Sequence, residues 1–172
     1  MLDGLRGCYA KLRLKVHEIK TAVAQVWGRK FLGYSLWLSR QAQVRLAVAG
    51  EAVQRYSSAS ARWRQTGRSM GQIAQDLQAF LPGWKAYFQL AQTPKVWRGL
   101  DEWMRRRLRA IQLKFWGRGT TMYRELRSLG ASRDIAAQVA GNACRWWYNC
   151  SGEVNRVLTI AYFDRLGVPR LC

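Results

Sequence analysis

Eight basic residues and two acidic ones lie between Thr93 and Arg118. On a helix, where successive side chains turn by about 100°, Arg98, Arg105 and Arg109 share one stripe facing solvent. Arg106 stands beside that stripe, and Arg107 falls nearer the apolar side, where its stem can pack. The same region interleaves the cations with Trp103, Phe115 and Trp116. Guanidinium groups grip phosphate bidentately and stack on bases, and aromatic rings add further stacking surfaces, a mixture that suits RNA. A helix face that is merely solvated mixes both signs of charge more evenly. The sequence therefore predicts a nucleic-acid-binding face built from Arg98, Arg105, Arg106, Arg109, Lys114 and Arg118.

Catalytic and metal-binding arrangements are hard to assemble from the same chain. Its five aspartates, Asp3, Asp76, Asp101, Asp134 and Asp164, are scattered. The acidic doublet Asp101-Glu102 diverges on a helix, so a two-metal phosphoryl-transfer centre is not expected. Neither a phosphate-cradling Walker loop nor a GxGxxG fingerprint occurs. The four cysteines, Cys8, Cys144, Cys150 and Cys172, lack CxxC spacing, and His17 is the one histidine. They read as free thiols of a cytoplasmic protein rather than as metal ligands or a Cys–His nucleophile. No catalytic residue, metal or cofactor is expected.

The charge balance points to the partner. Twenty-nine Lys and Arg against ten Asp and Glu leave a net charge of +19 over 172 residues. Such a field attracts a polyanion, either nucleic acid or an acidic membrane surface. No apolar run approaches the eighteen or so residues of a membrane span, and the first residues lack the apolar core of a signal peptide, so nucleic acid is favoured. With 49% apolar residues the chain has enough material for a packed core.

The elements that must position these residues are mostly helical. LRLKV alternates, with Leu12, Leu14 and Val16 on one face, which predicts a strand. AVAQVW and FLGYSLW flank Gly28-Arg29-Lys30 and predict a β-hairpin. From Ser39 the period becomes helical through Ala42, Leu46, Ala49, Val53, Tyr56 and Trp63, predicting one long helix. Ser69 with Gln72 has the form of a capping box opening a second helix with Ile73, Leu77, Trp84, Tyr87 and Phe88 on its apolar side. Thr93-Pro94 opens a third, lined by Trp97, Leu100, Met104, Leu108, Ile111 and Phe115. In the tail, Gly130 and Ser132 punctuate two short helices in a helix-turn-helix arrangement. CRWWYNCSG reads as an aromatic loop, followed by a last short helix between Glu153 and Leu166.

The stretch LQAFLPGWKAYFQLAQTPKVWRGLDEWMRRRLR resembles the maturase-specific region, domain X or thumb, of group II intron reverse transcriptases. The matching features are Gly83-Trp84, Tyr87-Phe88, Leu100-Asp101-x-Trp103 and the Arg-Arg-x-Leu-Arg ending at Arg109. Upstream, LRLKVHEIKTAV and RKFLGYSLW resemble the last two reverse-transcriptase blocks, and the ending AYFDRLGVPRL resembles that of bacterial members. The similarity covers essentially the whole chain.

The resemblance implies a mainly α fold: a palm remnant over 1–37, a three-helix thumb over 38–118 and a small helical region over 119–172. It implies that Gly83-Trp84 and the aromatics after it pack the second helix on its neighbours, Gly83 allowing close approach of another backbone. Pro82 departs from the polar or basic residue usual there and is expected to kink the helix. By resemblance, Lys20 lies near the phosphates of an incoming nucleotide, with Arg29 and Lys30 as further cations. Phe31, Leu32, Gly33 and Tyr34 occupy the place of a primer grip. The family's Tyr-x-Asp-Asp metal site would precede these residues, and the expectation is a chain without polymerase activity of its own. The implied partner is group II intron RNA or another structured RNA, bound to assist splicing and mobility. The alternatives are one piece of a split reverse transcriptase working with a separate palm chain, and a general basic protein whose tail binds DNA.

Overall fold

The computed structural model describes residues 2–15, 17, 25, 29–59, 63 and 68–171. Helix α1 (Leu2–Lys11) leads the chain, and a three-stranded antiparallel sheet follows, made of β1 (Lys30–Phe31), β2 (Tyr34–Leu38) and β3 (Val44–Val48). β1 and β2 pair as Lys30↔Ser35 and Phe31↔Tyr34, leaving a two-residue turn. Leu32 and Gly33 take φ of 50° and 78° there, and positive φ at both central residues matches the twist of the flanking strands. A Cβ on Gly33 would lie 3.2 Å from the Phe88 ring, and at φ 78° it would also strain the backbone, so glycine suits this docked turn.

Lys30, expected in the hairpin connection, belongs to β1, and β2 pairs with β1 on one side and β3 on the other. Most of AVAQVW, together with Val16 and Lys20, lies outside the described residues. The predicted strand at LRLKV is also corrected. Leu12 and Arg13 close a turn behind α1, with the Leu12 amide bonded to the Cys8 carbonyl, and Leu12 and Leu14 are exposed. Alternation without a partner strand does not make a strand.

The long helix expected from Ser39 is replaced by β3 and the shorter α2 (Gly50–Ala59). All five residues of β3 pair with β2, from Tyr34↔Val48 to Leu38↔Val44. Val44, Leu46 and Val48 alternate at the strand period, but Ala42, Leu46, Ala49 and Val53 also fit a helix. The pairing with β2 decides between them. The Gln92 amide donates to the Leu46 carbonyl, and Val48 packs with Phe88 and Ala91, fixing the sheet to the helices behind it.

α3 (Met70–Tyr87) starts at the predicted capping box, with the Ser69 hydroxyl and Gln72 side chain each satisfying the other's backbone amide. It continues through Pro82, which stands on the exposed side. α4 (Pro94–Trp116) is the longest element and buries Leu100, Met104, Leu108, Ile111 and Leu113 against α3 and the tail. α5 (Gly119–Ser128) and α6 (Arg133–Gly141) form the predicted helix pair. Between them Gly130, at φ 90°, bonds to the Arg127 carbonyl and Ala131 to the Leu126 carbonyl, a left-handed glycine cap. A Cβ on Gly119 would sit 2.7 Å from the Ala140 carbonyl oxygen, so α5 and α6 cross where only glycine fits.

The tail is helical where an aromatic loop was expected. A 3-10 turn (Ala143–Arg145) runs into α7 (Trp146–Asn149), and α8 (Val154–Val157) and α9 (Ile160–Arg165) follow. Cys150, Val154, Leu158, Phe163, Val168 and Leu171 join the same apolar cluster as α3 and α4. The fold is mainly helical with a small sheet ahead of the principal helices.

Candidate nucleic-acid interface

Burying a guanidinium requires carboxylates that compensate its lost hydration. Asp101 and Arg105 are spaced four apart on α4, so their side chains meet on one face. Arg105 is 2% exposed. Its Nε donates to Asp101 Oδ2 at 3.0 Å, and its Nη2 lies 3.5 Å from Asp164 Oδ1 on α9. Asp164 Oδ2 also takes Arg170 Nε at 3.1 Å, while Asp101 Oδ1 accepts the Leu171 amide at 3.2 Å. The hydrogen bond from Arg170, reinforced by the charges of Arg105 and Arg170, holds the Asp164 carboxyl below its ordinary range. Arg105, placed by sequence on the solvent stripe, is instead the centre of a buried charge clasp between α4 and the tail. The sequence signal for it was the Asp101-x-x-x-Arg105 spacing.

Arg109 is also turned inward. It is half-buried, and its Nε donates to the Leu158 carbonyl at 2.9 Å. Burial, together with the neighbouring Arg105 charge, pushes its guanidinium below the ordinary value. Next to the clasp, Tyr56 is buried with its hydroxyl 3.3 Å from Met104 Sδ, and burial with the nearby Asp101 charge drives that hydroxyl well upward.

The outer side of α4 keeps a different set. Arg98, Arg106 and Lys114 are exposed, as is Arg118 just beyond the helix, and Lys95 extends the row at its start. Arg106 and Arg107 place their guanidinium carbons 5.1 and 5.3 Å from the Trp147 ring centroid. Sequence reasoning passed over Trp147 and its neighbour Tyr148, although an adjacent WWY so near a basic helix was the available signal. Near the hairpin, Arg29 is exposed and Lys30 is paired with Glu51. The Lys30 hydrogen bond lowers the Glu51 carboxyl.

The hairpin residues divide. Phe31 is 69% exposed and Leu32 66% exposed at the tip, whereas Gly33 and Tyr34 rest on α3. The Tyr34 ring lies 5.3 Å from Phe88, its hydroxyl donates to the Tyr87 carbonyl, and the Tyr87 hydroxyl donates to the Leu32 carbonyl at 2.8 Å. Trp84 stands 4.7 Å from Phe88, 5.1 Å from Tyr56 and 5.4 Å from Trp97, with Trp103 6.1 Å from Tyr56. The aromatic motif thus joins the hairpin to the helices. Gly83 is corrected: it is exposed, and an added Cβ would meet nothing within 4 Å.

Residues 58–130 match the family described as group II intron, maturase-specific domain. Over this span the chain is similar to a group II intron maturase-specific domain. No curated protein matches the chain. The maturase match spans from the end of α2 through α5, so it includes Trp84, Asp101 and Arg105, while Trp147, Tyr148 and Asp164 lie beyond it. It indicates a group II intron maturase-type function and implies intron RNA as a partner.

The two carboxylates that the fold brings together, Asp101 within the matched span and Asp164 beyond it, are bridged by Arg105. Their two charges are balanced by two guanidinium groups, Arg105 between them and Arg170 on Asp164. Among the described residues no cluster of three His, Cys, Asp or Glu could hold a metal ion, and no helix is long and apolar enough to cross a membrane. Cys8 and Cys144 are exposed free thiols, and Cys150 is a buried one.

Proposed function

We propose that the chain grips structured intron RNA through the outer face of α4 and thereby assists splicing and mobility. One observation carries this reading. Six of the ten carboxylates, Glu51, Asp76, Asp101, Glu125, Glu153 and Asp164, are consumed in ion pairs within the chain. Lys95, Arg98, Lys114 and Arg118 meanwhile stand exposed along and just beyond one helix, with no ion pair among the described residues. A surface that pairs most of its acids within the chain and leaves these cations outward is suited to phosphate. The chain alone extends no primer, because its scattered aspartates offer no pair for two metal ions.

The test is a salt titration of affinity for a structured intron RNA. Contact with about six phosphates gives a log–log slope of roughly −4 to −5. Changing Arg98→Gln and Arg118→Gln together removes two exposed cations and keeps the fold. The slope falls by about 1 to 2 units with melting unchanged. An unchanged slope removes this face from the interface.

A second reading is one piece of a two-chain reverse transcriptase. It draws support from the exposed Phe31 and Leu32 at the hairpin tip and from the small, three-stranded sheet found among the described residues. Primer extension that appears only when a palm chain is added would favour it.

A further inference from the structure

The tail supplies an aromatic pair that the core does not use. Two tryptophans stand side by side at the start of α7 and face different surroundings. Trp146 packs on the main apolar cluster, while Trp147 is 41% exposed and Tyr148, next to it, 73% exposed. The Trp147 indole meets the Arg106 and Arg107 guanidinium groups of α4 at 5.1 and 5.3 Å from its centroid. We propose that Trp147 and Tyr148, with Arg106 alongside, form a stacking seat for an unpaired nucleobase of RNA.

Three features favour a base over another occupant. Cation–π contact with α4 holds the indole in place while it remains open to solvent, so a second flat π surface can stack with little further ordering. The guanidinium groups are themselves planar stacking partners and attract the phosphates on either side of a base. The net charge of +19 disfavours a basic or neutral aromatic peptide and favours a polyanion. The seat lies on the segment after the maturase match, at residues 147 and 148 against 58–130. It adds base contacts in unpaired segments to the phosphate contacts of the α4 face, and it rests on the RNA-binding reading above.

Affinities of the full chain for a short oligouridine and for a blunt RNA duplex, each as a function of salt, test the seat. Trp147→Leu weakens oligouridine binding by about five- to a hundred-fold, the value of one stacked base. Duplex affinity and the salt slope stay unchanged, and Trp147→Phe restores most of the loss. Equal losses on both probes, or none on either, overturn the seat while leaving phosphate binding by α4 standing. Failure of the unaltered chain to bind either RNA at low salt overturns the RNA reading itself. Should Trp147→Leu lower the melting temperature, photocrosslinking of the unaltered chain to iodouracil-substituted oligouridine decides. A crosslink at Trp147 or Tyr148 supports the seat, and crosslinks confined to other residues refute it.

Discussion

Changing Arg105→Gln tests whether the arginine that closes the DEWMR segment belongs to the fold or to a ligand. Gln and Arg have similar helix propensity, so α4 itself is little affected. What changes is the clasp. Asp101 loses the 3.0 Å bond from Nε and Asp164 loses the nearby Nη2 at 3.5 Å. Removing one partner of a buried ion pair costs about 3–5 kcal/mol because the remaining charge stays uncompensated. Here both carboxylates keep a second partner, the Leu171 amide for Asp101 and Arg170 for Asp164, and the Asp164 side chain is 28% exposed. The low end applies, about 3 kcal/mol, or a fall in melting temperature of roughly 6–12 °C at this chain length. Circular dichroism melts of the single variant, of Asp164→Asn and of the double variant measure it. The cycle should show a coupling of about 1–3 kcal/mol, since Arg105 and Asp164 touch. At temperatures where the variant is folded, the salt slope of RNA binding stays as in the unaltered chain. A melting temperature within about 1 °C of the unaltered chain, with a slope reduced by one unit, would return Arg105 to the RNA face and refute the clasp.

The clasp also predicts an acid response. Hydrogen bonding to Arg170, with the Arg105 charge, lowers the folded Asp164 below its ordinary 3.8. Its contribution is therefore complete above about pH 4 and disappears as pH falls through the lower folded value. Urea denaturation from pH 5 downward should show this loss, and Asp164→Asn should flatten it. At the α5–α6 crossing, Gly119→Ala forces a methyl to within 2.7 Å of the Ala140 oxygen. Overpacking of this kind costs about 1–3 kcal/mol, readable as a lower urea midpoint, and an unchanged midpoint would mean the helices separate freely.

Local punctuation was readable from the sequence because it is settled within a few residues. Ser69 and Gln72 cap α3, Pro94 opens α4, and Gly130 with Ser132 separates α5 from α6, as their spacing predicts. What could not be read there depends on partners far along the chain. VRLAV fits both periods, and only β2 makes it a strand. The helical wheel of α4 places Arg105 beside Arg98, yet its burial is decided by Asp164 and by the tail that carries it. The basic face survives with a different membership: Arg98, Arg106, Lys114 and Arg118 outward, Arg105 and Arg109 inward. An aromatic run gives no sign of which ring faces out, so Trp146 and Trp147 are separated by packing alone.

The clasp also orders events during synthesis. Arg105 emerges from the ribosome well before the counter-charge of Asp164, and the Leu171 amide that holds Asp101 emerges later still. Until then α4 carries a guanidinium on its inner side with only one of its two carboxylates, and the apolar positions that receive Phe163, Val168 and Leu171 are empty. Domains usually consolidate as they are made, but this one can close only after translation has passed Leu171. Nascent chains halted inside the tail would expose an open apolar groove with a cation in it, a surface that chaperones and proteases recognise.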